Sequence, residues 1–329
     1  MTRINRFKPI KGFSQRAILP SDKYILHQFE IACSALDGKT NLASLEEWDA
    51  LVKQENLNTR SVIYINNLNE VAFVGWFEID ERVEEVLTFL EGRVHPEYRG
   101  QGYGSFLMDW LEGTAENRMK NVANGRPCTY RIMYYDRAQD AIKLFEERAF
   151  KLLYIEQEMQ RDLREFRPKY ETQDLEFNPW STENSPEFYS VYRAAFQTRT
   201  EKLLESAAWH QHFADPNCED FLPGLSLLVY KSGFPVAYAV IHSEESAIDK
   251  RNETAWISQL GVHSDFRRQG IGTILLSEIM KQFSQTGYSF IKISVNVNNQ
   301  GAISLYEHSG FQLVNSFTMY HRSLFNSNY

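Results

Sequence analysis

Two stretches of the chain combine anion-binding side chains with a bared backbone. One runs Val94-His95-Pro96-Glu97-Tyr98-Arg99-Gly100-Gln101-Gly102-Tyr103-Gly104, the other Val262-His263-Ser264-Asp265-Phe266-Arg267-Arg268-Gln269-Gly270-Ile271-Gly272-Thr273. Both contain Arg-x-x-Gly-x-Gly, and Arg99 and Arg267 lie 168 residues apart in a chain of 329. Each pair of glycines removes Cβ atoms where a ligand must approach the backbone. An apolar-periodic run follows each loop and predicts a helix, whose first N–H groups have no partner within it. Those donors and the positive end of the helix dipole suit an anion. The dipole contributes about 0.3–1 kcal/mol, and each N–H bond to a charged oxygen roughly 1.5–3 kcal/mol. Arg267 and Arg268 add positive charge. The loop therefore reads as a seat for a pyrophosphate. A lone Gly-x-Gly often merely starts a helix; recurrence after a strand in both halves favours binding and predicts two copies of one domain.

Two other phosphate loops are excluded. The dinucleotide fingerprint needs a third glycine three residues after the second, and Leu107 and Leu275 stand there. The Walker loop needs Gly-Lys-Ser/Thr, which the loops lack. A further stretch, Asn299-Gln300-Gly301-Ala302-Ile303-Ser304-Leu305-Tyr306-Glu307-His308-Ser309-Gly310-Phe311, places Tyr306 on a short predicted helix capped by Gly310. By spacing alone Tyr306 reads as a core aromatic with a hydrated hydroxyl.

Together these motifs resemble the GNAT family of N-acetyltransferases, whose acetyl-CoA loop is Gln/Arg-x-x-Gly-x-Gly/Ala and whose later segment is Asn-x-x-Ala-x-x-Leu-Tyr-x-x-x-Gly-Phe. The resemblance implies acetyl-CoA as co-substrate, no metal, and an amine acceptor. It gives Leu260, Gly261 and Val262 to the pantetheine arm, and Arg267, Arg268, Gln269, Gly270, Ile271, Gly272 and Thr273 to the diphosphate. Asn299 joins the cofactor-binding set, and Tyr306 becomes the general acid at the thioester sulfur. In the amino half, Phe145 replaces Tyr306, Ala149 replaces Gly310 and Ala138 replaces Asn299. Residues 1–165 are thus expected to form a GNAT-like domain that keeps the loop without the acid, and residues 166–329 the catalytic domain. This tandem pattern resembles mycothiol synthase, in which the carboxyl domain does the chemistry.

The implied reaction needs a proton acceptor, because neutralising a primary ammonium of pKa about 10.4 at pH 7 costs roughly 4.6 kcal/mol. Many family members place a glutamate where Trp256 stands here. Glu253, Glu244, Glu245 and a water chain are the alternatives, and the base stays open. The backbone N–H of Val262 or a neighbour is expected to bind the oxyanion. His263 recurs as His95 in the half without the acid, which reads as structural. His210 and His212, two apart on a helix, face different sides and do not suit a metal.

The elements that must position these residues read as strand, helices, hairpin, strand, Gly loop, helix, strand, helix and strand, twice over. Expected in the amino half are a strand at Arg16–Pro20, helices to about Leu36 and over Glu46–Val52, and a hairpin of Ser61–Tyr64 with Val71–Phe77. A strand over Val86–Val94, a helix over Tyr103–Arg118 and a strand over Tyr130–Tyr135 follow. In the carboxyl half the corresponding elements include helices at Ser185–Thr198 and Leu203–Phe213, a hairpin of Leu225–Tyr230 with Val236–Ile241, and the strand Ala255–Val262. After them come the helix Ile271–Phe283 and strands at Phe290–Val297 and Phe317–Ser323. The charged run Gln160–Glu171 reads as a linker or strand end. The fold class is α+β, two GNAT-like domains in tandem, each a mixed, mostly antiparallel central sheet flanked by helices.

Composition fits this reading. A net charge of −8 argues against a nucleic-acid partner and is compatible with a cationic small-molecule amine. Three cysteines without disulfide or metal spacing point to a reducing cytoplasm. No apolar run approaches the roughly 18 residues of a membrane span. The first 16 residues are basic, lack a signal-peptide core, and read as a solvated tail. The expected partners are the acceptor and, within the chain, the two domains for each other. The alternative function is a non-catalytic acyl-CoA-binding sensor or scaffold.

Overall fold

A computed structural model describes residues 10–37, 42–82, 84–135, 138–164, 166–167, 174–197, 203–244 and 254–324. Contacts divide the chain into two compact units, Met1–Glu156 with Asn315–Tyr329, and Gln157–Val314. This division falls inside the strand Lys151–Asp162. The physical reason is pairing: the last strand is laddered to a strand of the first unit.

The first unit contains β1 (Phe13–Arg16), α1 (Lys23–Asp37), α2 (Leu45–Lys53), α3 (Leu57–Arg60), β2 (Ser61–Asn66), β3 (Val71–Glu81), β4 (Val86–Val94), α4 (Tyr103–Val122), β5 (Cys128–Tyr135), α5 (Gln139–Glu147) and the start of β6 (Lys151–Asp162). Its sheet order is β1-β2-β3-β4-β5-β12, where β12 spans Gln312–Ser323. Neighbours are antiparallel except β4 and β5. One apolar face packs on α4 through Leu107, Leu111 and Ala115, the other on α1 and α2 through Leu26, Phe29 and Trp48.

The second unit takes β6 from Gln157 on, then β7 (Leu175–Pro179), α6 (Ser185–Phe196), α7 (Ser206–Phe213), β8 (Leu227–Lys231), β9 (Phe234–Glu244), β10 (Thr254–Val262), α8 (Ile271–Ser284), β11 (Phe290–Asn296) and α9 (Gln300–His308). Its order is β7-β8-β9-β10-β11-β6, with β10 and β11 parallel. Met159 and Leu163, on and just after β6, join the core under α8. Trp209 of α7, fully buried, anchors the opposite face with Phe188 and Tyr238. The expected α+β class with mostly antiparallel sheets holds in both units.

Three local expectations shift. Residues 13–16 are not a solvated tail: β1 pairs with β2, and Phe13 packs edge-on against Phe73, Tyr98 and Tyr103. Consequently the expected strand at Arg16–Pro20 ends at Arg16, where the Ile18 N–H turns to Ser61 Oγ at 3.1 Å. Helix α7 starts at Ser206 rather than Leu203, because the Leu204 N–H donates to the Tyr192 hydroxyl at 3.0 Å. Among the described residues no helix is long and apolar enough to cross a membrane.

Candidate active site

The two Gly loops fold alike, and the two glycines of each have separate tasks. Gly270 and Gly102 cap α8 and α4 at φ +77° and +85°, the left-handed region that glycine enters without strain, and nothing would crowd a Cβ there. Gly272 and Gly104 matter for space. A Cβ on them would lie 3.2 Å from a methyl of Leu305 and of Leu144, on α9 and α5. The first turn of α8 therefore presses against the helix that carries Tyr306.

The motif arginines brace the loop. Arg267 Nε donates to the Val262 carbonyl at 3.3 Å, and a terminal nitrogen donates to the Ala195 carbonyl in the last turn of α6. Arg99 Nε donates to the Val94 carbonyl at 3.0 Å, and its terminal nitrogens grip Asp37, the last residue of α1, at 2.6 and 2.9 Å. Each guanidinium thus ties its loop to the C-terminal turn of a preceding helix, where a cation complements the dipole. Arg268 is exposed and left-handed at φ +64°, where the first unit has Gly100 at +72°. Such turns aim successive N–H groups at an anion. The Gln269 side chain accepts from Lys231 Nζ at 2.8 Å. Ile271 is buried and Thr273 half-buried in the first turn of α8. His263 Nδ1 accepts the Asp265 N–H at 3.3 Å, and His95 does the same for Glu97 at 3.4 Å, so both histidines cap the turn before the loop.

Ahead of the loop, β10 and β11 part. Their ladder ends at Ile257 opposite Ile293, whereas β10 stays paired with β9 to Val262 opposite Ala237. The β11-side edge of Ser258–Val262, including Leu260 and Gly261, is thereby left unladdered. Such an edge can take an extended, amide-bearing chain as it would a strand. The first unit splays at the equivalent place, since the ladder of β4 with β5 ends at Phe89 opposite Arg131. Unlike β4, whose ladder with β3 keeps register, β10 carries a bulge against β9, with Ser258 the extra residue between Ile257 and Gln259.

Tyr306 lies on α9, 5% exposed, in the core under α8 and 5.9 Å from the ring of Phe311. Phe145 takes the same place in the first unit at 4% exposure, against Tyr134, Phe150 and Tyr320. Asn299 caps α9, its side chain accepting the Ala302 N–H at 3.2 Å.

The sheet face toward α6 holds a polar group that the sequence reading missed. Gln259 Oε1 accepts from Trp209 Nε1 at 2.8 Å and from the Tyr238 hydroxyl at 2.6 Å. His242, opposite Trp256 in register, places Nδ1 2.6 Å from Ser258 Oγ. Burial holds the His242 pKa below the ordinary value of 6.5; Asp220 opposes this and His212 adds to it. Next across the sheet, Lys292 lies over the Trp256 ring at 5.9 Å and pairs with buried Glu158 at 3.3 Å. Of the carboxylates considered as bases, Glu253 and Glu245 lie outside the described residues, and only the backbone of Glu244 is described. His210 Nδ1 is bonded within α7 to the Ser206 carbonyl at 2.7 Å, and His212 packs on Phe213.

Models of known families match both halves: residues 177–311 match the acetyltransferase (GNAT) family and residues 58–152 the acetyltransferase (GNAT) domain. The chain belongs to the GNAT acetyltransferase family. Among curated GNAT relatives, an uncharacterized N-acetyltransferase of Methanocaldococcus jannaschii is 31% identical over 81 residues, covering 25% of this chain and 36% of the relative. The [ribosomal protein bS18]-alanine N-acetyltransferase of Escherichia coli (strain K12) is 32% identical over 59 residues, 18% of this chain and 40% of the relative. The chain thus spans well under half the length of these two relatives. A solved GCN5-related N-acetyltransferase from Sphaerobacter thermophilus superimposes with TM-score 0.79 at 21% identity, over 96% of this chain and 97% of that one, a likeness of fold.

Proposed function

We propose that this GNAT protein transfers the acetyl group of acetyl-CoA to a primary amine, and that the second unit does the chemistry. The observation that carries the reading is the contrast between the copies. Both keep the Gly loop and the splayed strands, but only the second combines them with a bulged β10 and a tyrosine, Tyr306, where the first has Phe145. The N–H groups at the start of α8 would bind the diphosphate, and the open edge Ser258–Val262 the pantetheine arm. The amine attacks the acetyl carbonyl, and a backbone N–H near Val262 meets the developing oxyanion. Full proton transfer from an ordinary tyrosine at about 10 to a thiolate at about 8.5 is uphill by about 2 kcal/mol. Tyr306 therefore acts first as a hydrogen-bond donor to sulfur, and the proton follows as charge builds.

The acceptor is read as a small-molecule amine, since Trp209 of α7 packs over Tyr238 and Gln259 on the α6-side face, and His242 and Trp256 on that face are half-buried. The likeness to the [ribosomal protein bS18]-alanine N-acetyltransferase makes a protein alanine amine the competing acceptor. A non-catalytic acyl-CoA sensor is the second reading, favoured by Trp256 where a carboxylate base is common in the family. The test is thiol release from acetyl-CoA by wild type and Tyr306→Phe over an amine panel. Turnover should fall at least tenfold with CoA affinity kept; equal turnover removes Tyr306 from the mechanism, and saturable CoA binding without release by wild type favours the sensor.

A further inference from the structure

The bulge of β10 marks the point where acceptor chemistry differs between the copies. From Phe73 opposite Val94 to Glu81 opposite Val86, the first unit's ladder carries no extra residue. In the second unit Ile257 faces Ile241 and Gln259 faces Val240, so Ser258 has no counterpart. It is also the first residue past the last β10–β11 pair, at the vertex of the splay. The bulge turns Ser258 and Gln259 to one face. Gln259 meets Trp209 and Tyr238 there, and Ser258 meets His242, whose ring packs 5.5 Å from Phe221. The counterpart of His242 is Glu78, opposite Phe89, which reaches Arg60 at 3.6 Å instead of a serine.

We propose that Ser258 and His242 form the relay that takes the proton from the acceptor ammonium. This rests on acetyl transfer in the second unit. An ammonium N–H bond breaks as Ser258 Oγ takes the proton, and the serine O–H bond breaks as His242 Nδ1 takes that one. The freed nitrogen pair forms the C–N bond and the C–S bond breaks. Sulfur takes the Tyr306 hydroxyl proton as the C–S bond breaks, the second N–H bond of the adduct breaks to water, and the Tyr306 oxygen takes one proton back from water. His242 returns its proton to water, the single proton the whole reaction releases. Asp220 and His212 are the titratable groups that bear on the imidazole, and beyond Trp256 stands the Lys292–Glu158 pair. Burial first, then His212, keep the ring neutral near pH 7 against Asp220, so its acceptor lone pair is present. Tyr306 packs in the core under α8 and His242 on the α6 side, so the two proton transfers occur on opposite faces of the sheet.

The experiment measures thiol release against pH for wild type, His242→Gln, Ser258→Ala, Ser258→Thr and the Gln–Ala double variant. Acetyl-CoA is paired with spermidine, glucosamine or an alanine-led peptide, whichever turns over fastest. The relay predicts that kcat falls about a hundredfold in His242→Gln and Ser258→Ala, with no further fall in the double variant. The acid limb, with its midpoint below about 6.5, disappears in His242→Gln. Ser258→Thr keeps rate and limb, the KM for acetyl-CoA stays unchanged throughout, and high pH restores the rate by supplying free amine. Wild-type release with an unaltered limb in His242→Gln overturns the relay alone. No release by wild type with any of the three amines overturns the acetyl-transfer reading and the relay with it.

Discussion

Gly272 and Leu305 meet so closely that a Cβ on the glycine would lie 3.2 Å from the leucine methyl. The contact couples the loop proposed for the diphosphate to the helix of Tyr306. Gly272→Ala asks one flexible methyl to give by a few tenths of an ångström and should cost less than ~1 kcal/mol. Gly272→Val should displace Leu305 and α9, lowering kcat more than CoA affinity. Calorimetric CoA titration beside steady-state kinetics checks the split; a loss confined to affinity would show that the contact does not reach Tyr306.

Each copy keeps a glycine where the other is strained. Arg268 at φ +64° answers Gly100, and Ala149 at φ +61° answers Gly310 at +84°. Ala149→Gly and Arg268→Gly should each raise stability by about 1 kcal/mol, since a left-handed non-glycine residue costs roughly that. Arg268→Gly should also weaken CoA binding several-fold at low salt, with the difference shrinking as salt rises. Urea denaturation and CoA titration test both; unchanged affinity would remove Arg268 from the site.

Much of this was legible in the residues. The loops, their offset and the loss of tyrosine at Phe145 needed only counting. The bulge was also written in the sequence. Apolar positions toward α8 fall at Ala255 and Ile257, then slip by one to Leu260 and Val262, whereas Val86, Thr88, Leu90, Gly92 and Val94 keep phase. Periodicity could not reveal that Arg267 and Arg99 brace helices, because their partners, the Ala195 carbonyl and Asp37, are distant in sequence. Nor could it place His242 beside Ser258, since only strand register brings together residues on different strands.

The strand assignment makes a prediction about fragments. Residues 166–329 alone lack Met159 and Leu163 from the α8-side core and leave Lys292, 4% exposed, without Glu158. That fragment should be unfolded or aggregated, whereas a Gln157–Val314 fragment keeps its core. In the full chain, Glu158→Gln should cost roughly 3–5 kcal/mol by breaking a buried ion pair. Circular dichroism with urea titration reads both; a cooperative 166–329 fragment would contradict the assignment.

Two histidines set an acid limit to stability. Burial lowers the pKa of His242, and burial with Arg131 and Lys151 lowers that of His321. The folded state therefore binds fewer protons than the unfolded state, so this stability is present above about 6.5 and is lost as pH falls through the folded pKa values. Melting temperature should decline below about pH 6.5, and less steeply in the His242→Gln and His321→Gln double variant. Identical slopes would discount both groups.

The most direct test is a crystal structure of the chain with coenzyme A. The account predicts the diphosphate on the N–H groups of Gly270–Thr273, the pantetheine arm along Ser258–Val262, and the thiol at the Tyr306 hydroxyl. A second unit with this loop empty, or a thiol ending away from Tyr306, would contradict it.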